Sequence, residues 1–292
     1  MTIKEAEKIY RDYYNKSILS PDEEFMLIEA LEYLIEETKQ TGWMVQLGGH
    51  YYGEKQFDLA LKYYEMADAY GDEWVAEGLG YIWYYGRTGE RDYEKAFKYY
   101  SKAAKNGYLK SKIKVADMYK NGYGVERNFD MYKKIIEESY YLVEDSAFPG
   151  DPKSEIYTRL ARIRKDEGNT EEAIRLYLDA KVFQARRLSY NTFFGDLNIM
   201  KWLIEDLYTM IEPDMTDLNL YDLYHVLKKP IKIAFVYEGD EYVVESVEEN
   251  GRVVIKFGEK WFEDIDDFLK KATIDGEKLP TLYYSLYAFR VV

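Results

Sequence analysis

Apolar residues recur at helical spacing through most of the chain, and the pattern itself repeats. The segment 59–72 (LALKYYEMADAYGD) is followed 36 residues later by 95–108 (KAFKYYSKAAKNGY), and related positions return at 157–180. Within each segment alanine, an aromatic residue and alanine stand at i, i+4 and i+7, which is one face of an α-helix. These triplets are Ala60, Tyr64 and Ala67; Ala96, Tyr100 and Ala103; and Ala173, Tyr177 and Ala180. Small residues flanking a ring predict a helix that a neighbouring helix approaches closely.

Another helix precedes each of these segments and carries a large apolar residue followed by a small one. The steps are Leu47-Gly48, Leu79-Gly80, Val115-Ala116 and Leu160-Ala161. A single pair of such helices cannot bury its apolar face, so neighbouring pairs must stack. The periodicity predicts repeats at about 42–71, 72–107, 108–145 and 152–190.

The third unit departs from the pattern. Tyr132, Ile136 and Ser139 stand where the other units have alanine, tyrosine and alanine. We therefore expect its second helix to pack differently.

The large–small step followed by Ala-x3-aromatic-x2-Ala resembles the tetratricopeptide repeat. From Leu47 to Ala60, as from Leu160 to Ala173, the separation is 13 residues, which is the tetratricopeptide spacing. In the second unit it is 17, because a glycine-bearing loop is longer, and the third unit has a parallel loop in YKNGYGVERN. The longer loop is similar to that of the Sel1-like repeat. The resemblance covers about 42–185 and implies a tetratricopeptide-like superhelix whose first helices line a groove.

Both ends of this array look like helical caps. Residues 3–14 carry apolar side chains at helical spacing, and Ser20-Pro21-Asp22-Glu23 combines a serine cap, an early proline and a glutamate three residues on. That helix should run to about Thr38. We expect caps at 1–40 and 195–228, the second with helices that begin at Gly195 and Thr216.

After Lys228-Lys229-Pro230 the segments become rich in β-branched and aromatic residues. Strands are predicted at 231–237, 242–247 and 252–257, joined by turns at 238–240 and at Asn250-Gly251. A short helix should begin at Asp264, a further one should lie within 279–287, and the final FRVV should return as an edge strand. The predicted fold is mainly α: an α-solenoid of antiparallel helix pairs over 1–228, with a small β-rich α+β domain at 229–292 docked on its end.

Composition narrows the function. The chain has 54 acidic and 40 basic residues, a net charge of −14 and a pI near 4.9, which argues against nucleic acid and anionic membranes as partners. There is no cysteine, so disulfides and thiolate sites are excluded and a reducing compartment is favoured. The charged N-terminal segment lacks a signal-peptide core. We expect a cytoplasmic protein.

Catalytic and metal-binding patterns are weak. The chain has two histidines. Asp222-x-x-His225 would be half of a metal site without a second half, and His50 has no partner acid in register. We therefore predict no metal, no cofactor and no enzymatic activity, with an enzyme and a purely structural role as minor alternatives.

The 32 tyrosines exceed what the repeat cores need, and exposed aromatic residues favour contact surfaces. In the resembled architecture, the inward-facing positions of a first helix lie six and three residues before the small residue of the large–small step, and one and four residues after it. The assigned groove residues are Trp74, Glu77, Tyr81, Tyr84, Tyr52, Lys110, Asp117, Lys120 and Arg162. The groove would be aromatic at one end and basic at the other.

We thus expect a non-catalytic adaptor that binds a protein or peptide, one with an aromatic or aliphatic anchor and a carboxylate. The alternative is a specialised immunity- or effector-type binding protein whose C-terminal β element makes the contact.

Overall fold

The computed structural model describes residues 1–16, 18–146, 150–190 and 194–292, and the chain divides into two compact units. The first is Met1–Ile135 and the second Ile136–Val292. This division lies far from residue 228, and the domain boundary predicted there stays a prediction.

The first unit consists of helices joined by short connections. They are α1 (Ile3–Tyr13), α2 (Pro21–Thr38), α3 (Thr41–Gly53), α4 (Phe57–Ala69), α5 (Ala76–Tyr85), α6 (Tyr93–Lys105) and α7 (Leu109–Asn121), followed by α8 (Phe129–Val143), which extends into the second unit. The start of α2 follows from its sequence. Ser20 Oγ accepts from the backbone N–H of Glu23, and the Glu23 carboxylate accepts from the N–H of Ser20.

A glycine in each of two first helices makes room for a tyrosine of the second helix. A Cβ added to Gly48 would lie 2.6 Å from the ring of Tyr64, and one added to Gly80 would lie 2.8 Å from the ring of Tyr100. Only a residue without Cβ allows these approaches. The large–small steps are therefore packing positions, as the periodicity predicts.

The alanine positions of the second helices are also packing positions. Ala60, Ala67, Ala96 and Ala103 have no exposed surface. In α8 the corresponding side chains are buried although their sizes differ: Tyr132 is 1% exposed, and Ile136 and Ser139 are fully buried. The third repeat therefore buries the same face, with tyrosine, isoleucine and serine in place of alanine, tyrosine and alanine.

The second unit begins with a further helix pair. Helix α9 (Lys153–Asp166) packs against α10 (Thr170–Tyr190), and α10 packs against α11 (Phe194–Leu207). The triplet Ala173, Tyr177 and Ala180 on α10 is fully buried.

The helix predicted from Thr216 is wrong. Residues 220–222 form a 3₁₀ turn that Asn219 caps, and α12 (Leu223–Val226) is a single turn. Before the 3₁₀ turn the backbone forms a β-bridge instead of a helix, because Leu218 pairs with Phe289.

An antiparallel sheet completes the second unit, in the order β4-β3-β2-β1-β7. Its strands are β1 (Ile231–Tyr237), β2 (Asp240–Glu249), β3 (Arg252–Phe257), β4 (Lys260–Phe262) and β7 (Tyr287–Val291), and a separate ladder joins β5 (Thr273–Ile274) to β6 (Glu277–Lys278). Phe268 of α13 (Ile265–Lys271) packs against Phe257 and Phe262, with ring centroids 5.5 and 5.4 Å away. The C-terminal strand is at the sheet edge, as predicted. The helix predicted within 279–287 is only a 3₁₀ turn at 283–285.

The described chain is therefore mainly α, a solenoid of antiparallel helix pairs with a small C-terminal antiparallel sheet.

Candidate functional site

Side chains join the first helices of the three repeats in the first unit. Tyr52 of α3 lies edge to face against Tyr81 of α5, with ring centroids 5.9 Å apart. Between α7 and α5, the hydroxyl of Ser111 donates to the carboxylate of Glu77 over 3.4 Å. We call the surface that α3, α5 and α7 form through such contacts the first-helix face.

The last turn of α5 contributes most of the aromatic surface of this face. Tyr85 lies 4.4 Å from Tyr81 and 4.9 Å from Tyr84 between ring centroids. All three rings are half-buried. Each therefore keeps part of its surface available for contact.

Arg87 lies over this cluster. Its guanidinium carbon is 5.4 Å from the ring centroids of both Tyr81 and Tyr85, and 5.6 Å from that of Phe57. Its Nη2 donates to the hydroxyl of Tyr81 over 3.3 Å, and this hydrogen bond raises the pKa of Arg87. Aromatic faces attract a cation, by about 0.5–1 kcal/mol at exposed sites. The exposed guanidinium is thus held by rings.

Lys114 supplies a second cation from α7. Its Nζ donates to the Tyr85 hydroxyl over 3.0 Å and lies 4.9 Å from the ring centroid of Tyr84. Within the described ranges, neither Arg87 nor Lys114 has a carboxylate oxygen within 4.0 Å. Their positive charges are therefore not neutralised by an ion pair there.

Tyr84 belongs partly to the core. Its ring also contacts Tyr93, Tyr100 and Tyr123, with centroids 5.5 to 6.3 Å away. Burial raises the pKa of Tyr84 to about 12. This residue supports the fold as well as the face.

Trp74 is not part of the α5 stripe on which the sequence placed it. Helix α5 begins at Ala76, and Trp74 precedes it in a turn where Asp72 Oδ1 accepts from the N–H groups of Trp74 and Val75. The indole is 69% exposed and its ring lies 5.2 Å from that of Tyr108. The assumed helical spacing fails because the chain is not yet helical at this position.

The remaining predicted residues are distributed along α7 and the second unit. Lys110 is exposed at the start of α7, whereas Asp117 and Lys120 are half-buried. The Nζ of Lys120 lies 5.1 Å from the ring centroid of Tyr132. Arg162, on α9 in the second unit, pairs through Nε with Asp206 over 2.6 Å. The structure thus brings Tyr52, Glu77, Tyr81 and Tyr84 together on the first-helix face.

Sequence reasoning missed Tyr85, Arg87 and Lys114. Tyr85 and Lys114 fall outside the four offsets used for inward positions, and Arg87 follows the end of the helix. One signal was present, because Arg87 begins the longer loop that distinguishes this unit from a tetratricopeptide repeat.

Elsewhere the two histidines lie in structural contacts. The expectation that His50 has no partner acid is wrong, because its Nε2 lies 3.2 Å from Glu24 Oε1 on α2. The ring of His225 lies 4.9 Å from that of Tyr208, and the neighbouring buried Asp222 pairs with Lys181 and accepts from Tyr208. Across the described ranges, His, Asp and Glu nowhere gather in a group of three that could hold a metal ion. Within the same ranges, each helix is too short or too polar to cross a membrane.

Comparison with known proteins bears on the repeats. The family model for the Sel1 repeat matches residues 42–67, 76–108 and 110–131. No curated protein matches the chain in sequence.

Solved structures of repeat proteins are similar at low identity. A Sel1 repeat protein from Oxalobacter formigenes is 17% identical with a TM-score of 0.46, covering 70% of this chain and 75% of that one. A tetratricopeptide repeat protein from Parabacteroides merdae is 14% identical with a TM-score of 0.45, covering 73% and 82%. A protective antigen of uropathogenic Escherichia coli strains is 16% identical with a TM-score of 0.38, covering 63% of this chain and 49% of the antigen.

Repeats of this class are commonly protein-interaction scaffolds. The matched segments contain the glycine–tyrosine contacts and the longer loops described above. The segments 42–67, 76–108 and 110–131 of this chain are similar to Sel1 repeats.

Proposed function

We propose that the protein is a non-catalytic adaptor that binds a protein or peptide on the first-helix face. One observation carries the proposal: Arg87 and Lys114 are held against tyrosine rings without a described carboxylate partner, in a chain of net charge −14. Two cations that are held in place by rings and form no ion pair with a described carboxylate are suited to an acidic group of a ligand.

The ligand chemistry follows from the same contacts. A carboxylate can accept from the fork of Arg87 in two parallel hydrogen bonds, and Lys114 adds a second donor beside it. Tyr52, Tyr81 and Tyr85 provide aromatic surface for an apolar anchor within reach of these cations. The proposed ligand is an extended or helical peptide with an aromatic or aliphatic side chain near a carboxylate.

The other predicted groove residues complete the proposed site. Glu77, Lys110, Asp117 and Lys120 would flank the aromatic cluster with charges of both signs. Trp74 is a candidate at its margin, and Arg162 stays a prediction. The proposal includes no cofactor, metal, nucleic acid or membrane, and it places the cysteine-free chain in the cytoplasm.

Capture from native lysate, with binding of the captured peptide then measured by calorimetry, tests this proposal. The variant Arg87→Gln/Lys114→Gln removes two charges and retains much of each side chain. We expect it to bind at least about thirtyfold more weakly, corresponding to about 2 kcal/mol for hot-spot residues. The matched control Arg252→Gln/Lys278→Gln removes two exposed cations from the second unit and should bind as the wild type does.

Tyr81→Ala tests the aromatic part separately. Tyr81 contacts Tyr52 and Arg87 on the face and is half-buried, so its loss should weaken binding more than it weakens folding. Thermal unfolding of the same variant reports the cost to the fold. Unchanged binding by both the double variant and Tyr81→Ala would rule out this face.

A specialised immunity- or effector-type binding protein is the second candidate, because the outer face of the C-terminal sheet exposes three large apolar side chains among its charged ones. The strand register places Val243, Trp261 and Tyr287 on it, and they are 40%, 52% and 54% exposed. If Trp261→Ala/Tyr287→Ala abolishes binding while Arg87→Gln/Lys114→Gln does not, this second candidate replaces the first.

A further inference from the structure

The second helices of the first unit form another surface. The hydroxyl of Tyr63 on α4 donates to Glu32 Oε1 on α2 over 2.8 Å, and Lys102 Nζ on α6 donates to Asp68 Oδ1 on α4 over 2.5 Å. Helices α2, α4 and α6 therefore lie in this order, with α4 in the middle. We call their solvent-exposed surface the second-helix face.

One side of this face is acidic. On α2, four carboxylates and one phenylalanine follow one another at steps of three and four residues, which is a single helical stripe. The stripe consists of Asp22, Phe25, Glu29, Glu32 and Glu36, and all five are exposed. Phe25 is 62% exposed within this acidic surrounding.

The other side is basic. On α6 the same spacing aligns Lys95, Lys98, Lys102 and Lys105. Lys95 and Lys102 have partners in Asp92 and Asp68, whereas Lys98 and Lys105 are exposed and form no ion pair with a described residue. The segment 95–134 contains eleven basic and three acidic residues, so its net charge is +8 and that of the rest of the chain is −22.

The two stripes match in spacing. Glu29 and Glu36 are seven residues apart, as are Lys98 and Lys105, so each pair spans about 10.5 Å along its helix. On α4, between the stripes, Lys62 and Glu65 are exposed and opposite in sign. The face is therefore self-complementary about its middle helix.

We propose that a second copy of this chain docks on the second-helix face. A two-fold axis that runs parallel to α4, between the α4 helices of the two copies, brings α2 of each copy against α6 of the other, so both contacts form together. Glu29 and Glu36 of one copy then meet Lys98 and Lys105 of its partner in parallel order. Phe25 is covered in the same contact.

The acidic stripe favours a second copy over another partner. A nucleic acid attracted to Lys98 and Lys105 would be repelled by the carboxylates of α2 on the same face. An acidic protein would leave those carboxylates without partners. Only a ligand with both charges in the same arrangement uses the whole face, and this chain is such a ligand.

Charge reversal in the full-length chain tests the proposal by sedimentation velocity. At concentrations up to about 100 µM, an association of micromolar Kd gives a dimer for the wild type. Lys98→Glu/Lys105→Glu and Glu29→Lys/Glu36→Lys each place like charges across the contact. Each variant alone should dimerise at least about tenfold more weakly, since opposed like charges in an interface are strongly unfavourable.

Two further samples make the test specific. An equimolar mixture of the two variants pairs acidic α2 with basic α6 and basic α2 with acidic α6, so a heterodimer should form. The chain that carries all four substitutions is again self-complementary and should form a homodimer. The control Lys4→Glu/Lys8→Glu makes the same charge change on exposed α1 positions and should leave the dimer unchanged.

Three results would overturn the proposal. If the wild-type chain stays monomeric at every concentration tested, a second copy does not dock on the second-helix face. This holds even if the chain binds a polyanion or an acidic peptide through Lys98 and Lys105. Dimerisation of both reversal variants at wild-type strength would place the interface elsewhere. Failure of the mixture and of the fourfold variant to associate would show that the charges do not pair as proposed.

Discussion

In the first unit, the helix crossings depend on contacts between residues that are distant in sequence, whereas the hairpins of the C-terminal sheet depend on turns of neighbouring residues. Tyr64 lies against Gly48 of the preceding helix and also close to Gly78 of the following one. In the sheet, two-residue turns join neighbouring strands. Glu238 and Gly239 have φ of 51° and 93°, and Asn250 and Gly251 have φ of 52° and 75°.

This difference predicts different sensitivities to substitution. A helix crossing that uses an absent Cβ has no space for one, so a small increase in side-chain size is unfavourable there. A two-residue turn requires glycine for its positive φ and not for lack of space. Nothing lies within 4 Å of a Cβ placed on Gly239 or Gly251. The following changes test this contrast, from the largest effect to the smallest.

Tyr132→Ala should have the largest effect. Tyr132 is 1% exposed and occupies an alanine position of the repeat, so truncation leaves a cavity and should lower the free energy of unfolding by about 3–5 kcal/mol. Urea unfolding measures it. Tyr141→Ala on the same helix removes a ring that is 72% exposed and should change stability by less than about 0.5 kcal/mol. If both variants lose the same free energy of unfolding, the third repeat does not bury Tyr132.

Gly124→Ala should come next. Gly124 has φ of 67°, and an added Cβ would lie 2.0 Å from the carbonyl oxygen of Tyr93. Backbone strain and a clash with the main chain together should cost about 3 kcal/mol. Gly251→Ala in the sheet has similar φ and no clash, so it should cost about 1 kcal/mol. If urea unfolding gives the two variants the same cost, close packing at the repeat loop is not the cause.

Ala103→Leu tests the alanine position directly. Ala103 is fully buried on α6, so a leucine there should overpack the helix crossing and lower the free energy of unfolding by about 1–3 kcal/mol. The neighbouring Ala104 is half-buried, and Ala104→Leu should cost less. A neutral Ala103→Leu in denaturant unfolding would show that the crossing has free space.

Ala288→Gly should give the smallest effect, a gain of up to about 1 kcal/mol. Ala288 is exposed in β7 with φ of 54°, where the register of β7 against β1 shifts by one residue. Glycine removes the strain of the left-handed backbone there. Ala69→Gly at the exposed end of α4 lacks that gain and should be destabilising in thermal unfolding. A loss at Ala288 would mean that the bulge is not strained.

Much of the candidate site could be predicted, but its chemistry could not. The repeat register brought Tyr52, Glu77, Tyr81 and Tyr84 to one face, because helical periodicity determines which side chains align. Trp74 was misplaced because the register was extended beyond the start of α5. Arg87 and Lys114 were missed because only the folded chain brings them against tyrosine rings.

The net charge of the whole chain does not show how charge is distributed along it. The sum is −14, while residues 95–134 alone carry +8. The composition argued against partners that need a basic surface, yet the second-helix face carries a basic stripe on α6 as well as an acidic one on α2.

The sequence by itself determined the elements whose causes are local. The capping box at Ser20 and the hairpin turns in the sheet need only neighbouring residues, and β1 has the predicted bounds. The 36-residue period also determined which small residues pack. Tertiary structure alone decided the rest. The segment after Thr216 does not form the predicted helix, because Leu218 pairs with Phe289. The free energy of this contact comes from a partner distant in sequence, which local propensity does not include.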